Sequence, residues 1–491
     1  MNAALAIVRD GRIYAIANVV NRVAGLALLP LFTHVLSPGE FGLYTLVQSV
    51  MDVLSVLCGL GLTSAMNRFY LEYPDDAAMR DRVIATVLLL VGGLALLIAL
   101  LAWPAGRWLS QAVLGSSAHT GLCAVALVAL GCIALFEVQC AYAVVRKQVR
   151  TYFVLCCAKA VALVACNLWL VGAWSLGVIG VVLATALSMG GIALVALVLI
   201  LRRTGLHFSV PLALRLVRFG LPLVPSALGN SALGVVERYY LHHAAGAAAV
   251  GLYSLGNRLA SLLQMFIAAP FSQTYAVRRV ETLVKGEDQQ VYDRVLLLFV
   301  LVMCLSAFAL SVFGADLVAL LATSDYAGAV QLVPVLGLCY VLASINFNLE
   351  LGIHYTQRTW AFPLVTGVTL LASIPLNAWL AARHGAMGTA LALLAVNGVR
   401  LVGTLVMNAR VGSRLVRLDW TRALPLMALS LALACLVVQW PAPVLSPSWL
   451  VAKALLVAAL AALLVASPLV GASARAELLG LWRRPAVNAA A

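Results

Sequence analysis

The sequence predicts an all-α polytopic membrane protein with about 14 transmembrane helices, arranged as two six-helix lobes related by an internal parallel repeat plus two C-terminal helices. Composition, recurring apolar stretches and the repeat support this fold class. Of the 491 residues, 64% are hydrophobic and 10% are charged, and the mean hydropathy is +1.03. Soluble domains have about 45–50% apolar and about 25% charged residues. The composition therefore excludes a soluble domain, a disordered chain and a conventional nucleic-acid-binding protein.

Apolar stretches long enough to cross a bilayer recur along the whole chain. Arg9 and Arg12 precede the first stretch as in a secretory signal, but Arg22 inside it and the lack of a small-residue cleavage site favour a retained helix. The last two stretches form two helices or one re-entrant pair, and Pro441 marks a break between them. A window of about 19 residues places the stretches at 13–35, 39–63, 83–104, 120–144, 153–173, 176–201, 220–240, 251–276, 295–314, 326–350, 361–381, 385–409, 423–440 and 449–470.

The distribution of Lys and Arg predicts the orientation of these helices. An even number of spans puts both termini on one side, and the loops of that side contain 24 of the 32 cations. The opposite loops contain Arg107 and Arg383. The positive-inside rule therefore predicts that both termini are cytoplasmic. Most of the net charge of +14 is explained by the cations of these cytoplasmic loops. A basic surface for membrane lipid or nucleic acid is the alternative interpretation of runs such as Arg202–Arg203.

An internal repeat predicts two lobes of equal orientation. Residues 9–44 match residues 218–253 without a gap, at an offset of 209, and a second match follows further along the chain. Identical pairs include Gly42 with Gly251, Tyr44 with Tyr253, Asn167 with Asn377 and Trp169 with Trp379. Chance matching of two apolar sequences is the alternative explanation. Because the offset spans an even number of helices, an axis along the membrane normal relates the lobes, with a cleft between them.

The repeat divides the chain into four predicted segments. Residues 1–201 form the N-terminal lobe and residues 202–219 a basic cytoplasmic linker. Residues 220–409 form the C-terminal lobe, and residues 410–491 contain helices 13 and 14 with a cytoplasmic tail. The two-lobe repeat allows a monomer to suffice.

Ionisable residues within the predicted spans are the best candidates for a functional site. A charge near the bilayer centre costs roughly 2.5–3.5 kcal/mol, so such residues face a bundle interior or water. The cations are Arg22, Lys159, Arg238, Arg258, Arg400 and Lys453, and the acids are Asp52, Glu137, Glu237 and Glu350. The excess of cations predicts a cleft that binds an anionic cargo, such as a phosphate, a diphosphate or an acidic sugar.

Asparagines at helical spacing accompany these charges and form polar faces. They are Asn18 and Asn21 beside Arg22 in helix 1, Asn230 in helix 7, and Asn257 beside Arg258 in helix 8. In the alternative interpretation the charges form packing salt bridges, Arg22 with Asp52 and Arg258 with Glu237. Lys159 and Arg400 have no acid in register and are expected to line the cavity. Lys453 and Arg238, near the outer helix ends, are expected to snorkel to the interface.

The sequence predicts no metal site and no cofactor. The ten cysteines lie in apolar stretches without ligand-like spacing, which predicts buried packing residues. A redox role of Cys156–Cys157 is the alternative. His242–His243 stands outside any metal-binding motif.

Three motifs resemble the polysaccharide transporter (Wzx-type flippase) family of the multidrug/oligosaccharidyl-lipid/polysaccharide exporter superfamily. They are LPLFTHVLSPGEFGLY at 29–44, RFGLPLVP at 218–225 and VGLYSLGNRL at 250–259. The similarity extends from about residue 9 to residue 470. Lipid II flippases of the same superfamily carry Y-x-x-x-R-L on helix 8, which Tyr253 and Arg258 match with one extra residue between them. Helix 1 also departs from them, because Asn21-Arg22 has no adjacent Asp.

The resemblance implies an alternating-access transporter, not an enzyme, in a bacterial inner membrane. Its implied cargo is an undecaprenyl-diphosphate-linked oligosaccharide, moved to the periplasmic leaflet for O-antigen, capsule or exopolysaccharide assembly. Membrane lipid and other glycan-assembly membrane proteins are the further candidate partners, and no nucleic acid is expected. The intramembrane Arg and Lys residues would hold diphosphate or acidic sugars, the asparagines would contact hydroxyls, and the acids would balance charge or couple transport to an ion.

Two alternatives remain at the level of sequence. A cation-coupled multidrug exporter of the same fold would be expected to show the opposite charge bias in its cavity. A membrane polymerase or ligase of glycan assembly usually needs a sizeable periplasmic loop with catalytic Arg or His. The longest outer loop, 105–119, offers Arg107 and His119.

Overall fold

The computed structural model is helical, and the residues that it describes contain no strand. These residues are 13, 16–17, 19–285, 289–356, 358, 360–411, 418–440 and 443–466. The chain divides into two compact units, Met1–Gly251 and Leu252–Ala491. The domain limits expected from the repeat stay a prediction.

The first unit is built around α6, which packs against α4, α5 and α8. Buried apolar side chains of α3, α4, α6, α8 and α9 form its main core cluster. Its helices are α1 (Leu29–Val35), α2 (Pro38–Gly59), α3 (Leu62–Glu72), α4 (Ala77–Leu100), α5 (Ala102–Leu114), α6 (Thr120–Val145), α7 (Val149–Asn167), α8 (Gly177–Thr204) and α9 (Val210–Gly220). Helix α10 (Val224–Leu263) begins in this unit and breaks at Gly246.

The second unit is organised around α12, which packs against α14, α17 and α18. Side chains of α12, α14 and α17 supply most of its main core cluster. Its remaining helices are α11 (Ala269–Lys285), α12 (Gln289–Val312), α13 (Gly314–Leu321), α14 (Val333–Leu349), α15 (Leu351–Tyr355), α16 (Ala361–Arg410), α17 (Trp420–Val438) and α18 (Pro447–Ala466).

The helices confirm a polytopic membrane protein. In the described part of the chain, ten are long and apolar enough to cross a membrane, or eleven if the bent pair at 210–276 counts as one span. Helix α16 has 50 residues and breaks at Gly385. At 1.5 Å per residue it is roughly twice the length that a bilayer of about 30 Å requires, so it accounts for two crossings. The count of about 14 is compatible with this architecture.

Local sequence explains where α2 begins. Ser37 is its N-cap and Pro38 its first helical residue. The Ser37 Oγ accepts the N–H of Glu40 at 3.3 Å, and a Glu40 carboxylate oxygen accepts the N–H of Ser37 at 2.9 Å. This capping box satisfies two backbone donors that a helix end leaves open.

Two glycine pairs bring helices of the first unit into backbone contact. A Cβ at Gly42 in α2 would overlap the carbonyl of Ala247 in α10, and a Cβ at Gly251 would overlap the carbonyl of Pro38. A Cβ at Gly61 would lie 2.6 Å from the carbonyl oxygen of Gly220. Gly42 and Gly251 are also the positions that the predicted repeat aligns with each other.

Seven exposed tryptophans lie at helix ends that are predicted to face outside, and exposed Trp360 lies at an end predicted to face the cytoplasm. The seven are Trp103, Trp108, Trp169, Trp174, Trp379, Trp440 and Trp449, between 37% and 69% exposed. The Trp169 and Trp174 rings lie 5.0 Å apart. Tryptophan prefers the interface between hydrocarbon and water, so the predicted outer ends of these helices carry the residue type expected there.

Candidate functional site

A charged cluster in the first unit combines residues from four helices. In α2, the Gln48 amide donates to the Asp52 carboxylate at 3.1 Å, as their i, i+4 spacing predicts. Asp52 lies within electrostatic range of Glu137 on α6 and Arg238 on α10. Glu137 in turn interacts with Lys159 on α7. The structure thus brings together predicted site residues that are up to 186 positions apart in sequence.

No ion pair of the Lys159 ammonium occurs in the part of the chain that the structure describes, but an acid of the neighbouring helix lies close enough to act on it electrostatically. The ammonium lies within electrostatic range of Glu137 and 5.4 Å from the centroid of the Phe136 ring. Glu137 and Phe136 are on α6, so the register between α6 and α7 decides how close Lys159 lies to them. Sequence periodicity gives the faces of single helices but not the register between two of them.

The first predicted span, residues 13–35, contains an exposed arginine. Arg22 is exposed, and no ion pair of its guanidinium occurs within the described residues. The packing salt bridge between Arg22 and Asp52 is therefore wrong for this structure. The Asn21 side chain donates to the carbonyl of Ala17 at 3.1 Å. Asn18 lies outside the described residues.

The first half of α10 places Glu237, Arg238 and Asn230. Glu237 is 7% exposed and Asn230 is exposed. Arg238 was expected to snorkel, but its guanidinium folds back to donate to the carbonyl of Gly234 at 3.1 Å. The guanidinium also lies within electrostatic range of Asp52. The alternative pair of Glu237 and Arg258 stays a prediction, because the two residues belong to different units.

An ion pair joins α14 to α16 in the second unit. Arg400 donates to a Glu350 carboxylate oxygen at 3.1 Å, and the same oxygen accepts the Asn346 amide at 2.7 Å. The expectation that Arg400 has no acid partner is wrong, because the fold brings together residues 50 positions apart. Sequence reasoning missed Asn346, although its i, i+4 spacing to Glu350 is a usable signal.

A second polar network in this unit connects α10 to α14. The Tyr340 hydroxyl donates to Asn257 at 3.2 Å, and the Ser344 hydroxyl donates to Gln264 at 2.9 Å. Arg258, on the same stretch of α10 as Asn257, is half-buried. Tyr340 and Ser344 are one helical turn apart, which is the signal that could have identified this polar face.

Lys453 is the clearest departure from the sequence expectation. Instead of snorkelling, it is 7% exposed, and its ammonium donates to the Asp316 carboxylate at 2.5 Å. Asp316 belongs to the short helix α13, outside the predicted spans, and so was not counted among the intramembrane acids.

These pairs change the charge balance that the sequence predicted. Glu350 neutralises Arg400 and Asp316 neutralises Lys453. The first unit contains three of the intramembrane cations, Arg22, Lys159 and Arg238, and three of the acids, Asp52, Glu137 and Glu237. Asp316 is a further acid that the sequence count left out, so the cationic excess is smaller than the sequence predicted. Within the described residues no three His, Cys, Asp or Glu side chains form a metal-binding group, and the ten cysteines are free.

A family model described as polysaccharide biosynthesis protein matches residues 7–275. Over 118 residues the chain is 30% identical to the lipid III flippase of Escherichia coli (strain K12) and, to the same extent, to that of Shigella flexneri. These matches cover 24% of this chain and 28% of each relative, so the chain spans less than a third of the curated relatives' length.

Solved structures of two kinds share the fold. The lipid II flippase MurJ in an inward closed conformation aligns with a TM-score of 0.73 and 13% identity, over 92% of this chain and 97% of that chain. An inward-facing multidrug resistance MATE family transporter of the MOP superfamily aligns with a TM-score of 0.64 and 17% identity, over 80% of this chain and 94% of that chain. These matched proteins are described as flippases or transporters, which agrees with the prediction that the chain is not an enzyme.

Proposed function

Because the chain belongs to the polysaccharide biosynthesis protein family, we propose that it is a flippase for an undecaprenyl-diphosphate-linked oligosaccharide. The family match over residues 7–275 is the observation that carries this proposal. The flippase names of the partial sequence relatives and of one structural neighbour support it. The cargo would be turned by alternating access to the periplasmic leaflet of a bacterial inner membrane, for O-antigen, capsule or exopolysaccharide assembly.

The membrane-embedded charges give this proposal its chemistry. A diphosphate must leave water to cross the bilayer, and fixed cations replace part of its hydration. We assign this role to Arg22 and Lys159 in the first unit and to Arg258 and Arg400 in the second. Arg22 is exposed and Lys159 half-buried, so neither is sealed within the core of its unit.

The neutral and acidic residues have distinct proposed roles. Asn18, Asn21, Asn230 and Asn257 would contact sugar hydroxyls, because an amide both donates and accepts hydrogen bonds. Asp52, Glu137, Glu237 and Glu350 would hold the cations in place when no cargo is bound, and they are the candidates for coupling to an ion. Both termini are proposed to be cytoplasmic.

The leaflet in which the cargo accumulates tests this function. A strain that lacks the protein should accumulate intact undecaprenyl-diphosphate-linked repeat units that an impermeant periplasmic probe does not reach. Mass spectrometry of that lipid would then identify the sugar sequence. Unpolymerised units on the periplasmic side would instead indicate a later assembly enzyme, and the absence of any accumulated lipid would contradict the proposal.

A cation-coupled multidrug exporter is the second candidate, favoured by one structural observation. The first unit contains as many acids as cations within its predicted membrane spans, which removes part of the argument against a cationic cargo. The likeness to MATE structures is compatible with this function. Expression in a drug-sensitive host distinguishes the two, since an exporter should raise drug resistance while leaving the lipid-linked oligosaccharides of the deletion strain unchanged.

A further inference from the structure

A cavity of about 430 Å³ opens among α12, α17 and α18 of the second unit, at helix ends that are predicted to face outside. Its volume is in the range of about 300–1,000 Å³ that is typical of small-molecule sites. Most of its wall is apolar. Val312, Leu436, Leu456, Trp440 and Trp449 contribute to it, and Lys453 is the one charged side chain on the wall in the part of the chain that the structure describes.

Asp316, which lies outside the cavity lining, holds the ammonium of Lys453 in place. Asp316 is 5% exposed, and one carboxylate oxygen accepts Lys453 at 2.5 Å. Its other oxygen accepts the backbone N–H of Leu445 at 2.9 Å. Asp316 does not line the cavity, so it orients the ammonium without meeting an occupant.

Two of the three N–H groups of Lys453 remain for an occupant. An ammonium has three donors, and within the described residues Asp316 is the partner of one. A polar group buried without a partner costs free energy, so an acceptor in the cavity is favoured. The same occupant must cover the apolar wall, which requires a molecule with both an oxyanion and a hydrocarbon part.

The charge of the site selects the type of oxyanion. Asp316 already neutralises Lys453, so the site offers donors but little net charge. A phosphodiester with one negative charge suits it better than a diphosphate, which would need further cations. Trp440 and Trp449, exposed beside the cavity, are residues of the membrane interface, the depth at which lipid phosphates lie.

We propose that this cavity binds a glycerophospholipid of the outer leaflet. A phosphodiester oxygen accepts the free N–H groups of Lys453, and one acyl chain covers the apolar wall between α17 and α18. The bound lipid then joins the C-terminal helices to α12. None of the residues assigned to the cargo lines this site. The lipid proposal therefore does not depend on the proposed transport function.

Lipid-dependent stability of the purified full chain tests the proposal. The delipidated protein in detergent should show a Tm several degrees higher with phosphatidylglycerol than without it, because a ligand that binds the folded state stabilises it. Diacylglycerol with the same acyl chains, which lacks the phosphodiester, should produce at most a small part of this increase.

Three variants test whether the lipid-dependent increase in Tm comes from this cavity. Ala452→Phe fills the cavity, and the double variant Lys453→Met with Asp316→Asn removes the ammonium without leaving a buried charge. Both should lose most of the lipid-dependent increase in Tm. Leu455→Phe is the matched control, because Leu455 is on the same helix, is 65% exposed and does not line the cavity. It should respond as the unsubstituted protein does.

Each variant is compared with and without lipid, so a lower starting Tm does not obscure the result. An equal response to diacylglycerol and phosphatidylglycerol would overturn the role of Lys453. An unchanged response of Ala452→Phe would overturn the location. A larger increase with undecaprenyl diphosphate than with phosphatidylglycerol would assign the cavity to the cargo and overturn the phospholipid proposal.

Discussion

Three cations of the predicted membrane spans lie near carboxylates of other helices. Arg400 pairs with Glu350 and Lys453 with Asp316, and Lys159 lies within electrostatic range of Glu137. A buried cation without a nearby anion is costly in hydrocarbon, so folding selects the register that supplies one. The partners came from helices distant in sequence, which is why the spacing along one helix did not identify them.

The pair of Arg400 and Glu350 should stabilise the second unit. We expect Glu350→Ala to lower the free energy of unfolding by about 1–3 kcal/mol, since it leaves a largely buried guanidinium without its acceptor. Arg400→Ala with Glu350→Ala should cost less than the sum of the single variants. Thermal unfolding of the purified variants measures this. The exposed pair of Arg215 and Glu72, 3.4 Å apart, is the control and should show a coupling near zero.

Arg22 should be required for export under the proposed function. Arg22→Ala removes an exposed cation and is expected to reduce transport about tenfold or more, because charge-assisted hydrogen bonds contribute roughly 1.5–3 kcal/mol. Arg22→Lys should retain part of the activity. The measurement is the ratio of cytoplasmic to periplasmic lipid-linked oligosaccharide in a complemented deletion strain. Arg383→Ala, at an outer helix end, is the control and should export normally, whereas full activity of Arg22→Ala would contradict the assignment.

Lys159 provides an independent test inside the first unit. Lys159→Gln keeps a polar, though shorter, side chain and removes the charge that acts on Glu137. We expect a reduction of export comparable to that of Arg22→Ala, with the protein still present in the membrane. Lys147→Gln is the matched control in the loop between α6 and α7, and equal activity of the two variants would argue against a role of Lys159.

At the scale of helices, the sequence motif that resembles the family has a structural explanation. The residues Ser37, Pro38 and Glu40 begin α2 through a capping box. Gly42 and Gly251 permit the backbone contact between α2 and α10. The motif therefore encodes a helix start and a helix crossing.

The close crossing of α2 and α10 predicts that alanine has opposite effects on stability at two glycines, Gly42 and Gly92. Gly42→Ala should destabilise the first unit by about 1–3 kcal/mol, because its Cβ overlaps the carbonyl of Ala247. Gly92→Ala, within α4 and with no atom within 4 Å of its Cβ, should stabilise by about 0.5–1 kcal/mol. Thermal unfolding in detergent gives both values. Equal stability of the two variants would show that the helices do not approach as described.

At the scale of the whole molecule, hydropathy and charge predicted the fold class well. The helical structure of the described residues, the multiple spans and the separation of α17 from α18 follow from the length and composition of the apolar stretches. The candidate site was harder to predict. Asp52, Glu137 and Lys159 were identified as intramembrane charges, but their mutual arrangement depends on the register between helices. Asp316 was missed because it lies on a short helix between spans.

The predicted orientation of the chain has a direct test. A green fluorescent protein fused to the C-terminus should fluoresce, and alkaline phosphatase at the same position should be inactive, because its disulfides form in the periplasm. The expected outer loop 105–119 is mostly helix α5, which ends at Leu114. Truncation between α5 and α6, followed by the same fusions, should give the opposite pattern. Active phosphatase at the C-terminus would reverse the topology.

The exposed tryptophans give the protein an intrinsic fluorescent probe of its orientation. Seven exposed tryptophans lie at helix ends predicted to face outside, so the intrinsic emission should be weighted toward one leaflet. A collisional quencher that is confined to that leaflet should dim the emission far more than the same quencher confined to the other. Light alone can therefore report how the chain is inserted in intact vesicles, without labels, fusions or substitutions.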